Sequence, residues 1–116
     1  MAEHLTKETF IEKIFDYEKE TEWKYKGERP AIIDFYADWC GPCHMLAPIL
    51  KDLKSAWGDR IRLIKVDTEA HPEIAGRFQI SGIPTLILFK NGQIVHRTSG
   101  VMPLQRLQAE YGKFVD

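Results

Sequence analysis

Apolar residues in this 116-residue chain change their spacing several times, which predicts alternating strands and helices. Residues 31–36 form a short, almost wholly apolar run, typical of a strand buried on both faces. Ile61 to Val66 is a second run of this kind. From about Cys40 to Trp57 the apolar positions recur at helical spacing, with Pro48 expected to kink the helix and Gly58 able to end it.

The rest of the chain predicts three more helices and a hairpin. Thr6 can cap a first helix that extends to about residue 17, and Pro72 suits the first turn of a short helix through residue 78. Residues 85–97 form a strong hairpin signal that turns at Asn91-Gly92, and a last helix starts near Pro103. The order α, β, α, β, α, β, β, α predicts an α/β fold: a central mixed β-sheet flanked by helices on both faces.

Composition excludes several classes of protein. Apolar residues make up 44% of the chain, charged residues 28%, and the formal net charge is −1, without a basic stripe that would suggest nucleic acid. No apolar run approaches the roughly 18 residues that cross a bilayer. The first residues lack the basic start and apolar centre of a signal peptide. We therefore expect a cytoplasmic protein. Without repeats or linkers, residues 1–116 are predicted to form one domain, and we expect a monomer.

The two cysteines, Cys40 and Cys43, are only three positions apart. In the chain-entropy model a disulfide that closes about four residues stabilises a fold by roughly 2 kcal/mol, against about 4.7 kcal/mol for about 100 residues. The pair is therefore poorly placed for stability and well placed for reversible chemistry. Because Cys40 is predicted to start a helix, free N–H groups and the helix dipole should favour its thiolate, which is the nucleophilic form.

Two segments resemble the signatures of the thioredoxin family. Residues 34–43, Asp-Phe-Tyr-Ala-Asp-Trp-Cys-Gly-Pro-Cys, resemble the family's active-site segment, and Ile83-Pro84-Thr85 followed by residues 89–92 is similar to its second signature. The resemblance covers the chain from about Ala31 to the end. It implies a thioredoxin fold and a reductase of protein disulfides that is regenerated by an NADPH-dependent flavoprotein and needs no bound cofactor or metal.

The resemblance also implies roles for four side chains. Cys40 should be the exposed thiolate that attacks a substrate disulfide, and the more buried Cys43 should resolve the mixed disulfide. Asp34 lies inside a core strand, where burial should raise the pKa of its carboxyl, and it resembles the family's buried acid that exchanges a proton with Cys43. Lys65 matches the family lysine beside that acid.

A substrate groove completes the expected site. Because nucleophilicity falls as a thiolate becomes more stable, thiolate activation speeds exchange only about threefold, so substrate positioning must supply the rest. Pro84 resembles the family's cis-proline, Ile83 should offer backbone groups to an extended substrate strand, and Trp39 should act as a lid over the dithiol. The predicted groove residues are Trp39, Gly41, Pro42, Ile83, Pro84 and Gly100.

Some positions depart from the family pattern. His44 stands where Lys or Arg is usual, and we hypothesise that it makes the reactivity of Cys40 more dependent on pH. Tyr36 replaces a common tryptophan. Ser99 and Val101 flank Gly100, where the family frequently has smaller or more apolar residues. This departure concerns the range of substrates and not the activity.

Other interpretations of the cysteine pair are weaker or stay open. Residues 40–44 also match the haem-attachment pattern C-x-x-C-H, but a buried strand precedes them and leaves no pocket for a macrocycle. Zinc would need four ligands, and two cysteines with one adjacent histidine do not supply them. Two alternatives remain: a thioredoxin-like adaptor whose dithiol is incidental, and an exported thiol reductase.

Overall fold

A computed structural model describes residues 3–4, 29–91 and 93–115. The strands are β1 (Glu3–His4), β2 (Ala31–Tyr36), β3 (Arg62–Asp67), β4 (Thr85–Lys90) and β5 (Gln93–Ser99). The helices are α1 (Gly41–Trp57), α2 (Pro72–Arg77) and α3 (Leu104–Val115). The predicted order from β2 to the last helix is confirmed, whereas the predicted first helix and Gly92 of the hairpin turn lie outside the described residues.

The sheet has the order β1-β3-β2-β4-β5, with β2 parallel to β3 and antiparallel to β4. The predicted mixed sheet is therefore confirmed, and β2 is its central strand. Both faces of this strand are covered, which is why residues 31–35 are all buried. The two-residue strand β1, which pairs with β3, was not predicted because two residues carry no measurable periodicity.

Helices pack on both faces of the sheet, as predicted. Alternate side chains of β2 point to opposite faces, so Ile32 packs with residues of α1 and α3, while Ile33 and Phe35 pack against α2. Leu46, Leu50 and Leu107 belong to the first of these clusters. Ile74 and Phe78 belong to the second.

Four residues separate β2 from helix α1, which has Cys40 as its N-cap and Cys43 in its first turn. The N–H of Cys40 donates to Ala37 O (3.2 Å), which turns the chain from the strand into the helix. Pro42 occupies the first turn, where its missing N–H costs nothing. The helix runs through Pro48 and ends at Trp57, and its C-cap is Gly58, whose φ of 55° lies in the left-handed region that favours glycine. The kink at Pro48 stays a prediction.

Candidate active site around Cys40 and Cys43

The two cysteines are joined by a disulfide at the N-terminus of α1, with their Cα atoms 5.2 Å apart. Cys40 is the N-cap residue, and the N–H of Cys43 donates to its Sγ atom at 3.2 Å. A helix N-terminus carries free N–H groups and a positive partial charge. The position predicted for the nucleophile is therefore one that stabilises a negative sulfur when the pair is reduced.

The expectation that Cys40 is exposed and Cys43 more buried does not hold in this oxidised state. Only 3% of Cys40 and 6% of Cys43 are exposed. The disulfide draws the two sulfurs together, Ala37 packs with both residues, and Ile83 O lies 3.8 Å from the Sγ atom of Cys40. Cys40 nevertheless lines an open groove that Cys43 does not reach, so the pair is accessible from the Cys40 side.

The groove beside Cys40 has a volume of about 500 Å³. It includes four of the six residues predicted for it, namely Trp39, Gly41, Pro42 and Ile83. The structure adds residues that sequence reasoning missed: Thr68, Ala75, Ile80, Ser81 and Gly82. None of these described lining residues carries a charge. The groove therefore suits an uncharged stretch of peptide next to a substrate cysteine.

Pro84 and Gly100, the other two predicted groove residues, lie next to its wall rather than in it. The Ile83–Pro84 peptide bond is cis, as the resemblance implied, and Pro84 is buried. The N–H of Gly100 donates to Pro84 O (2.9 Å). The φ of Gly100 is 89°, a conformation that favours glycine, so this contact depends on the absence of a side chain.

Trp39 stands at the rim of the groove with 70% of its surface exposed. Its indole Nε1–H donates to Glu69 Oε1 at 2.6 Å, a contact that sequence reasoning missed. Glu69 is itself placed by Asp67, whose Oδ1 accepts from the N–H of Glu69 (2.9 Å). The contact could have been inferred from the predicted topology. Because β2 and β3 are parallel, the residues that follow them, which include Trp39 and Glu69, lie at the same edge of the sheet.

Asp34 has the buried environment that the sequence predicted. Only 2% of the residue is exposed, and its Oδ1 atom has no hydrogen-bond partner among the described residues. Burial raises the pKa of this carboxyl to about 6, and the nearby charge of Lys65 opposes part of that rise. A carboxyl with a pKa near 6 can take up or release a proton close to neutral pH.

Lys65 faces Asp34 across the β2–β3 pair, in the register expected for the family lysine. Its Nζ atom lies 4.4 Å from the centre of the Tyr36 ring, a cation–π distance. Tyr36, which stands where the family often has tryptophan, therefore helps to hold the ammonium group of Lys65 in place. Lys65 influences the carboxyl by its charge.

Asp34 and Lys65 line a cavity of about 580 Å³, and Ala47 of α1 lies in its wall. Residues i and i+4 share one face of a helix, so Cys43 lies one turn before Ala47 on that face. The cavity that Asp34 lines thus borders the face of α1 on which Cys43 lies one turn earlier. This arrangement suits a proton transfer between the two groups, directly or through water in the cavity.

His44 is exposed on the first turn of α1, and its Nε2 atom lies 2.6 Å from Asp38 O. Because a carbonyl oxygen only accepts, Nε2 carries the hydrogen of this bond. The imidazole is therefore held beside the turn that leads into the cysteines.

Within residues 3–4, 29–91 and 93–115, no group of three or more potential ligands could hold a metal ion, and no helix could cross a membrane.

A family model described as Thioredoxin matches residues 2–113, a range that includes both cysteines, Pro84 and Gly100. Thioredoxin from Borreliella burgdorferi is 46% identical over 87 residues, which cover 75% of this chain and 74% of that protein. Thioredoxin 1 from Chlorobaculum tepidum is 47% identical over 89 residues, which cover 77% of this chain and 88% of that protein.

A plant relative is longer. The protein named Thioredoxin Y, chloroplastic, from Oryza sativa subsp. japonica is 48% identical over 82 residues, 71% of this chain but only 49% of that protein. The matched part of the chain thus spans about half the length of the rice relative.

Proposed function

Because the chain belongs to the thioredoxin family, it is a thiol–disulfide oxidoreductase, and we propose that its Cys40/Cys43 pair reduces disulfides in substrate proteins. The observation that carries this proposal is the disulfide at the N-terminus of α1, with Cys40 lining an open groove. A structural disulfide would have no need of either the groove or the helix terminus.

The reaction begins with the reduced pair. The Cys40 thiolate attacks one sulfur of a substrate disulfide, forms a mixed disulfide and releases the other substrate sulfur as a thiolate, which takes up a proton. Cys43 then loses its proton, attacks Cys40 Sγ and releases the first substrate sulfur. The products are a substrate dithiol and the Cys40–Cys43 disulfide, so two electrons pass to the substrate.

Asp34 is proposed to act as the proton acceptor for Cys43 in the second step. Its carboxyl lines the cavity next to the α1 face that carries Cys43, and its pKa of about 6 lets it be ionised at neutral pH. Lys65 tunes this acid through its positive charge. Supporting that role, Oδ1 has no described hydrogen-bond partner that would compete for the proton.

Substrate recognition is proposed to use the groove and the backbone of Ile83. Ile83 O lies 3.8 Å from Cys40 Sγ, so an extended peptide that pairs with Ile83 would bring its own sulfur next to Cys40. Such pairing uses backbone groups and is compatible with many sequences. Trp39, Gly41, Pro42, Pro84 and Gly100 would complete the surface that the peptide contacts.

The partners and the compartment are parts of the same proposal. Each cycle leaves the pair oxidised, so a reductase must restore the dithiol, and we assign this step to an NADPH-dependent flavoprotein. A cytoplasmic monomer that forms one domain fits this chemistry, because the cytosol keeps protein thiols reduced. Some relatives are named as chloroplastic.

The proposal is tested by coupling the protein to a purified NADPH-dependent thioredoxin reductase with insulin as the substrate. We expect NADPH to be consumed and insulin to precipitate only when all components are present. A second arm uses Cys43→Ser, which should trap insulin in a mixed disulfide with Cys40 that survives denaturing electrophoresis and dissolves with excess thiol. Failure of both arms with folded protein would refute the proposed reduction.

His44 gives a further prediction about the pH dependence of Cys40. The imidazole of His44 is held beside the turn that leads into the cysteines, so the pH profile of Cys40 alkylation by iodoacetamide should change when another side chain replaces it. In His44→Lys and His44→Gln the charge at residue 44 is constant near neutral pH. Both variants should lose the part of the profile that depends on His44 and keep the part that depends on Asp34 and on the thiol itself. Identical profiles for all three proteins would eliminate this role for His44.

A further inference from the structure

We propose that Arg97 is a positioning residue: it holds residues 79–83, which lead into and form one wall of the substrate groove, and thereby sets the affinity for protein substrates. The inference deepens the proposed function and rests on it. Arg97 belongs to neither family signature noted in the sequence. It lies on β5, where it pairs with Ile87 of β4.

The guanidinium group of Arg97 joins β5 to the segment that follows α2. Its Nη1–H donates to Phe78 O and its Nη2–H donates to Gln79 O, each at 2.9 Å. A planar guanidinium has a fixed fork of donors, so two adjacent carbonyls bound at once leave it little freedom. An ammonium or a neutral side chain could not reproduce this geometry.

The carbonyls that Arg97 binds are at a place where the backbone needs support. Helix α2 has only six residues and ends at Arg77, and the last carbonyls of a helix lack partners within it. Gln79 then has a φ of 55°, in the left-handed region that non-glycine residues rarely adopt. The N–H of Ile80 turns back to Ala75 O at 3.0 Å. The guanidinium group therefore stabilises a turn that the local sequence disfavours.

The residues just after this turn form the groove wall. Ile80, Ser81, Gly82 and Ile83 all line the groove, and Ile83 O faces Cys40 Sγ. At the other end of the wall, the Thr85 hydroxyl donates to Gly82 O at 2.5 Å. Side chains from the sheet thus hydrogen-bond to both ends of the wall, and Arg97 makes the hydrogen bonds at the end nearer α2.

Loss of the two hydrogen bonds of Arg97 should weaken substrate binding more than it slows the thiol–disulfide exchange. The described contacts of Arg97 are with two backbone carbonyls, and neither cysteine is among them. A wall that is less ordered in the free protein must be ordered when substrate binds, and this entropy is subtracted from the affinity. The attack of Cys40 on a substrate that is already bound should proceed as before.

The kinetic test compares Arg97→Ala and Arg97→Lys with Arg106→Ala, an exposed arginine on α3 that gives the same change of charge. For insulin reduction, Arg97→Ala should raise KM by about threefold to tenfold and leave kcat within about twofold of the parent. Arg97→Lys should restore part of the affinity, since an ammonium can serve one carbonyl. Arg106→Ala should match the parent, and reduction of the disulfide by dithiothreitol should be equal in all four proteins.

A second readout needs no substrate and separates this inference from the proposed function. Amide hydrogen exchange of residues 80–83 in the oxidised protein should be about tenfold faster in Arg97→Ala, with the amides of β2 unchanged. Unchanged KM together with unchanged exchange would overturn the inference even if the parent reduces insulin. A parent that fails to reduce insulin would overturn the proposed function, while faster exchange in Arg97→Ala would still show that Arg97 holds the wall.

Discussion

Cys40→Ser is expected to abolish the reduction of insulin disulfides by dithiothreitol, lowering the catalysed rate by at least about 10³-fold. A serine hydroxyl is not ionised near neutral pH and does not attack a disulfide sulfur. Cys43 cannot replace Cys40, because only Cys40 lines the groove through which a substrate arrives. The measurement is the rate of insulin precipitation, with the uncatalysed rate subtracted.

The Cys40→Ser variant should keep its fold, which makes the result interpretable. Cys40 is the N-cap of α1, and serine is among the preferred N-cap residues. Circular dichroism should therefore show unchanged helix content. The same variant separates a reductase from an adaptor: an adaptor would keep its biological effect without the thiol, and a reductase would lose it. Catalysis by Cys40→Ser at the parental rate would contradict the mechanism.

Asp34→Asn is expected to stabilise the protein at neutral and alkaline pH. The folded-state pKa of Asp34 is about 6, above the usual pKa of 3.8 for this carboxyl, so folding favours the protonated form. The stability that this carboxyl contributes is complete below about pH 4 and is lost as the pH rises through about 6. Above that range the ionised group costs about 3 kcal/mol, and the neutral amide removes most of this cost.

Urea denaturation of the oxidised protein at about pH 4 and about pH 8 measures this effect. Asp34→Asn should exceed the parent by up to about 3 kcal/mol at the higher pH and by little at the lower one. Asp52→Asn, an exposed substitution on α1, is the matched control and should shift neither value by more than about 0.5 kcal/mol. An equal gain at both pH values would contradict the linkage to a raised pKa.

Asp34→Asn should at the same time slow the resolution of the mixed disulfide. Without a proton acceptor near Cys43, this step should fall by about tenfold or more, and mixed disulfide should accumulate during turnover. A variant that gains stability and loses rate would tie the two effects to one carboxyl. Gain of stability with no loss of rate would remove Asp34 from the mechanism and leave its burial unexplained.

Features that depend on local sequence were predicted well. The run at residues 31–36 is apolar at nearly every position, and only a central strand buries both faces in that way. The start of α1 near Cys40 was predicted from the helical spacing of its apolar residues, and its end from Gly58. The cysteine pair was identified from its spacing, and the cis bond before Pro84 from the resemblance to a family signature.

Features that depend on contacts across the fold were not predicted. Glu69 reaches Trp39 only because parallel strands end at the same edge of the sheet. Arg97 can donate to a carbonyl just after α2 only because the pairing of β5 with β4 places Arg97 next to that segment. The low exposure of Cys40 depends on the packing of Ala37 and Ile83 around the disulfide, which sequence patterns do not report.

The hydrogen bond from the Cys43 N–H to Cys40 Sγ has an energetic consequence for the direction of electron flow. A thiolate accepts a hydrogen bond more strongly than a disulfide sulfur does, so this N–H stabilises the reduced pair over the oxidised one. A stabilised reduced form has a higher reduction potential and gives up its electrons less readily. Any change that makes the helix terminus hold the thiolate more tightly would therefore turn this protein from an electron donor towards an oxidant.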